Sequence, residues 1–147
     1  MPVVGIGVDL VHVPRIAALI YRRGTTRVAS RILSKTELQE FETYLEDKCK
    51  FIAVRYDEYL VSSVFSYSSH IFSSFSVKEA AYKAVYPNAK PTWKDFTYCG
   101  LGHSHPGSKP LLLFKPTEEM PLTSQWKFHV SVSHDGDFVM SSVVVES

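Results

Sequence analysis

Few side chains in this chain can do joint chemistry: Asp9, Glu79, Lys78, Lys83, His134 and a set of arginines. Two carboxylates with lysines suit a magnesium ion that keeps several waters and clamps a polyphosphate. Oxygen ligands hold the hard cation, and lysines neutralise the phosphates. The chemistry this set suggests is phosphoryl-type transfer. Each member also has an ordinary explanation. Ser76-Val-Lys-Glu79 is a capping box, in which serine and glutamate satisfy amides at a helix start. Asp9 reads equally as a surface acid on a strand edge, and His134 as a hydrogen-bonded residue closing a strand.

These residues need elements to position them. Phe75 to Val85 reads as a helix, with Val77, Ala80, Ala81, Ala84 and Val85 in one apolar stripe. The other face gathers Lys78, Glu79, Tyr82 and Lys83, and Glu79 stands four residues before Lys83, an orientation that pairs carboxylate with ammonium. Val3 to Val11 alternates like a strand: Val4, Ile6, Val8 and Leu10 on one face, Gly5, Gly7 and Asp9 on the other. The two glycines leave room for something to approach the backbone closely. They do not form a dinucleotide fingerprint, which needs a third glycine opening a helix.

Pro14 fits the first turn of a helix from Arg15 to Arg23 that ends at Gly24. Its Arg15, Arg22 and Arg23 make either a solvated face or a dock for an acidic protein. Arg27 and Arg31 continue the basic character. Ser34-Lys-Thr-Glu37 is a second capping box, opening a helix with Leu38, Phe41 and Leu45 inward. Lys50 to Arg55 is compatible with a helical turn or a strand. Tyr56 to Ser74 has seven serines and no lysine or arginine, and reads as a β-prone or irregular excursion. Thr92 to Tyr98 and Leu111 to Phe114 read as paired strands. His103 and His105 between them read as loop residues rather than a metal pair. Lys127 to His134 and Asp137 to Val145 form a hairpin around Asp135-Gly136.

At 147 residues the chain predicts one domain. A formal charge of +1 gives no case for a nucleic-acid partner, so any anion must be met locally. No apolar run approaches the roughly 20 residues that span a bilayer, and no secretory signal or Arg-rich presequence is recognisable. The expectation is an intracellular protein without membrane association, with Cys49 and Cys99 as plain thiols.

In order, Gly5-Ile-Gly-Val-Asp9, Arg15-Ile16, Arg31-Ile-Leu-Ser34 with Glu37-Leu38, Lys78-Glu-Ala80 with Lys83, and Val130-Ser-Val-Ser-His-Asp135 resemble the 4'-phosphopantetheinyl transferases. The match is to the small holo-acyl-carrier-protein synthase type. The resemblance implies an α+β single domain, 1–147, with an antiparallel sheet and a C-terminal hairpin packed against helices. It implies transfer of the phosphopantetheine arm of coenzyme A to a serine of an acyl carrier protein. Asp9 and Glu79 match the magnesium ligands, and Glu79 and Lys83 the catalytic pair. Lys78, Lys83, His134 and Arg55 match coenzyme contacts. Arg15 matches a contact to the carrier protein, with Arg22 and Arg31 extending that basic surface. A homotrimer is implied, serving fatty-acid synthesis in cytoplasm or mitochondria.

Two departures stand out. Phe51-Ile-Ala-Val-Arg55 is separated from Phe75-Ser-Val-Lys-Glu-Ala80 by nineteen residues, so 56–74 reads as an insertion that splits one helix, with a restart at Ser76 as one outcome. Tyr86-Pro-Asn-Ala-Lys-Pro91 stands where the family commonly has a Gly-rich segment shaping the nucleotide site. If the split disabled catalysis, the chain would be a carrier-binding scaffold; a magnesium-dependent phosphohydrolase is the other alternative.

Overall fold

The computed structural model describes residues 2–52, 60–100, 108–116 and 125–147. In chain order these make β1 (Val3–His12), α1 (Val13–Arg23), α2 (Thr25–Ile32), α3 (Lys35–Ile52) and α4 (Leu60–Val85). A 3₁₀ turn (Trp93–Asp95), β2 (Phe96–Cys99), β3 (Leu111–Phe114), β4 (Lys127–Asp135) and β5 (Phe138–Glu146) follow. The strands form an antiparallel three-stranded sheet, β1-β5-β4, and an antiparallel pair, β2-β3. The expected α+β class and C-terminal hairpin are both present.

Helix α4 is the central element. Its C-terminal half packs Val77, Ala80, Ala81, Ala84 and Val85 with Phe96, Leu112, Phe128, Val143 and Val145. Further back, Ile71 joins Val28, Ala29, Ile32, Leu33 and Phe41, and Phe72 joins Val11, Ile16 and Val139. One helix therefore threads three apolar clusters. A helix buried on most sides belongs in a core, whatever its local propensities.

That packing corrects the reading of the serine-rich stretch. Residues 60–74 are helical and continuous with the central helix rather than β-prone or irregular. Serine costs little in a helix when its hydroxyl has a partner. Ser74 donates to Glu37 Oε1 at 2.7 Å, and Ser76 accepts from Ser141 at 2.8 Å. Ser76 lies inside the helix and is no N-cap, so the restart there does not occur. Because Ile71, Phe72 and Ser74 are buried, the end of the 56–74 segment is core rather than an excursion.

The second capping box is formed. Ser34 N–H donates to Glu37 Oε2 at 2.7 Å and Glu37 N–H to Ser34 Oγ at 3.4 Å, opening α3. Helix α1 ends at Gly24, whose φ of 84° lies in the region that favours glycine. Helix α2 forms without a side-chain cap to announce it, and the expected strand from Thr92 begins only at Phe96, after the 3₁₀ turn.

Candidate active site

Asp9 and Glu79 are brought together by the closeness of β1 and α4. A Cβ on Gly5 would stand 2.0 Å from the Ala84 carbonyl oxygen, and one on Gly7 would stand 1.8 Å from that of Ala80. Only glycine lets the helix lie directly on the strand. What approaches the bare strand face is therefore α4, and Asp9, next on that face, comes beside the turn carrying Glu79 and Lys83.

Lys83 donates from Nζ to Asp9 Oδ1 at 2.8 Å and to the Val8 carbonyl at 3.1 Å. Asp9 Oδ2 is buried and has no hydrogen-bond partner. A buried carboxylate oxygen left unpaired is costly, and a cation is the usual remedy. Glu79 is half-buried, and its carboxyl is raised above the usual range, first by desolvation and then by the Asp9 charge; Lys83 opposes the rise. Two mutually repelling carboxylates with one unfilled oxygen fit a divalent cation. Among the described residues no third His, Cys, Asp or Glu joins them, which suits magnesium completing its shell with water and phosphate oxygens.

Lys78, expected beside Glu79 and Lys83 on the open face of the helix, lines a small cavity with Glu79 but turns its ammonium to other partners. Its side chain is buried. Nζ donates to Glu37 Oε2 at 2.5 Å, to the Ile32 carbonyl at 2.8 Å and to the Trp93 carbonyl at 3.2 Å. Burial pulls its ammonium below the usual lysine range while Glu37 opposes that. Its three donors are taken, so Lys78 joins α4 to α2, α3 and the 3₁₀ turn. One helical position, about 100°, separates it from Glu79.

His134 is exposed near the end of β4, opposite Val139. Asp9 pairs with Ser141 and Ser141 with Val132, so Asp9 and His134 are two strands and two residues apart. That is about 12 Å between Cα atoms, on the sheet face that α4 covers. The distance is too long for contact and short enough for one extended ligand to touch both. Arg55, Cys49 as a side chain, and the His103-Ser-His105 pair lie outside the described residues. Cys99 is a free, buried thiol, raised in pKa by burial.

A second concavity lies between α1, α2 and the 3₁₀ turn. Leu19, Val28, Ile32, Phe75 and Trp93 form its apolar floor, and Arg23, Arg27 and Arg31 its charged rim. Phe75 and Trp93 stack with centroids 5.2 Å apart. Of the three expected partner-binding arginines, Arg31 is in this groove; Arg15 and Arg22 are exposed on α1 outside its lining. Arg23, basic on α1, and Arg27, neither of which the resemblance names as a carrier contact, also line the groove. A smaller cavity is lined by Lys78 and Glu79 together with Tyr82, Pro91, Thr92, Trp93 and Phe96.

A family model described as the 4'-phosphopantetheinyl transferase superfamily matches residues 5–143. A holo-[acyl-carrier-protein] synthase of Koribacter versatilis is 30% identical over 148 residues, covering 98% of each chain. Among solved structures, the holo-[acyl-carrier-protein] synthase from Neisseria meningitidis superposes with a TM-score of 0.67 at 23% identity, covering 99% of this chain and 100% of that one. The holo-(acyl-carrier-protein) synthase from Bacillus anthracis, solved in complex with CoA (3',5'-ADP), gives 0.64 at 21% identity, covering 99% and 97%. At these identities the structural likeness is one of fold.

Proposed function

The chain belongs to the 4'-phosphopantetheinyl transferase superfamily, and from that membership we propose that it transfers the 4'-phosphopantetheine group of coenzyme A to an apo acyl carrier protein. It is an enzyme of the holo-acyl-carrier-protein synthase type. The carrier serine Oγ bonds to the β-phosphorus and gives up its proton to solvent, the bond from that phosphorus to the bridging oxygen breaks, and adenosine 3',5'-bisphosphate leaves with the bond's electron pair. The observation that carries the site assignment is the buried, unpartnered Asp9 Oδ2 beside Lys83 and across from the destabilised Glu79 charge.

Asp9 and Glu79 would hold magnesium, which supplies charge neutralisation at the pyrophosphate when bound. Lys83 orients Asp9 and presents its half-exposed ammonium to the phosphates. His134, on the same sheet face, is placed for the far end of an extended coenzyme. Lys78 acts from below through Glu37 and α2 rather than on the coenzyme. Helix α4 runs unbroken from Leu60 through Ser76, so no restart occurs there; the split named by the scaffold alternative lies between Arg55 and Phe75, and Arg55 is outside the described residues.

The arginine-rimmed groove is the carrier dock in this reading: an acidic helical partner meets Arg23, Arg27 and Arg31 while its apolar side chains meet Phe75 and Trp93. Assembly as a homotrimer, and a role in fatty-acid synthesis, complete the proposal. So does a single domain over 1–147, with the insertion at 56–74 feeding into α4. An apolar outer sheet face, Ile6, Val8 and Leu10 beside Met140 and Phe138, supports association between copies.

The test is to incubate the chain with coenzyme A, magnesium and an apo carrier protein and weigh the carrier. A phosphopantetheine mass increase is expected, falling by about 100-fold or more in rate for Asp9→Asn and Glu79→Gln. Coenzyme cleavage without carrier modification would instead mark a phosphohydrolase.

A further inference from the structure

Helix α2 has little to hold it in place by itself. It has eight residues, and neither a side-chain cap at its start nor an acidic residue in its first turn. Helices this short are marginal in water without tertiary support. Yet it supplies Arg27, Val28, Arg31 and Ile32 to the arginine-rimmed groove. Its apolar face, Val28, Ala29 and Ile32, holds it to the core, and the contacts at its C-terminal end add to that anchorage beside the groove.

Two lysines grip it. Lys94 Nζ donates to the carbonyls of Ser30 and Leu33, and Lys78 Nζ to that of Ile32. These are carbonyls left without helical partners, at the negative end of the helix dipole. Lys94 directly follows Trp93, which forms the opposite wall of the groove and stacks on Phe75. The Lys94 ammonium thus ties one wall to the other with no covalent link between them. Glu37, already bound to Lys78, is its nearby counter-charge.

We propose that Lys94 is a positioning residue for carrier recognition, one that holds α2 against the 3₁₀ turn and so fixes the spacing between Trp93 and the arginines Arg27 and Arg31. The proposal rests on the reading of the groove as the carrier dock. Lys94 bonds to Ser30 and Leu33, away from Asp9, Glu79 and Lys83, so its loss acts on carrier binding and leaves the reacting end alone. A guanidinium can also donate to two carbonyls, whereas a thioether can donate to none.

Steady-state kinetics of Lys94→Met, with coenzyme A and carrier protein varied separately, test this. The expected result is a rise of about fivefold or more in KM for the carrier, because preorganisation of the dock is lost. The KM for coenzyme A and kcat at saturating carrier stay at parent values, and Lys94→Arg restores most of the carrier affinity. An unchanged carrier KM overturns the proposal; so does a fall in kcat with both KM values unchanged, which marks a smaller folded fraction. If Lys94→Met does not fold, Lys94→Leu, which also has no donor, carries the same comparison. Arg27→Glu and Arg31→Glu serve as controls: if neither raises the carrier KM, the dock reading itself fails. If they raise it and the Lys94 variants do not, only the positioning role falls.

Discussion

At the scale of single residues, the site carries a conflict that function explains and stability does not. Glu79 is ionised at a cost, since desolvation and Asp9 both disfavour its charge. A carboxyl raised in the folded state binds its proton more tightly there than in the unfolded chain. Stability is therefore fullest below the unfolded value of about 4.5 and declines as pH rises through the folded pKa. On the proposed assignment magnesium would need the ionised form, so its affinity should rise with pH over that same window. Glu79→Gln should raise the metal-free melting temperature at pH 7, by on the order of 1–2 °C, while abolishing stabilisation by magnesium. Thermal melts with and without magnesium check both halves, and a lower melting temperature in the metal-free variant would count against a strained carboxylate. Lys78 illustrates the opposite outcome. It sits one position from Glu79, yet its amino group serves Glu37 and two backbone carbonyls.

At the scale of elements, the contact between β1 and α4 decides whether a site exists. With the Ala80 carbonyl oxygen only 1.8 Å from where a Gly7 Cβ would be, Gly7→Ala forces the helix away from the strand. The expected loss is about 3 kcal/mol by urea denaturation, together with loss of magnesium binding as Glu79 leaves Asp9. Ser76→Ala is the contrasting case. It removes one buried hydroxyl that accepts from Ser141, and should cost about 1–2 kcal/mol with the site intact. If Gly7→Ala were as mild as Ser76→Ala, the strand and helix would not be in the contact described. The capping boxes show how local signals divide. Ser34 and Glu37 form theirs because α2 has ended at an extended Leu33 and α3 starts there; Ser76 and Glu79 carry the same pattern inside an unbroken helix, where no free amides await a cap.

At the scale of the molecule, the sheet presents an apolar face outward. Ile6, Val8 and Leu10 are 65%, 50% and 59% exposed, and Leu10 and His12 lie opposite Met140 and Phe138 on β5. Val4 leaves that row at a register shift between Val3 and Gly5 and packs inward. Large contiguous apolar patches are rarely left to water. Val8→Glu with Leu10→Glu should leave a folded chain that sediments as a monomer, where the parent sediments as an oligomer. A monomeric parent at micromolar concentration would remove the basis for self-association.

The sequence by itself determined the apolar stripe from Val77 to Val85, the Gly5/Gly7/Asp9 strand face, the end of α1 at Gly24 and the C-terminal hairpin. Each is a local pattern whose period or turn residue forces one reading. Tertiary structure decided the rest. It made a helix of a serine-rich stretch by burying Ile71 and Phe72, it drew Lys78 to Glu37, forty-one residues away, and it joined α1, α2 and Trp93 into one groove. No spacing encodes those partners, because burial and charge pairing act between residues that meet only when the chain has folded.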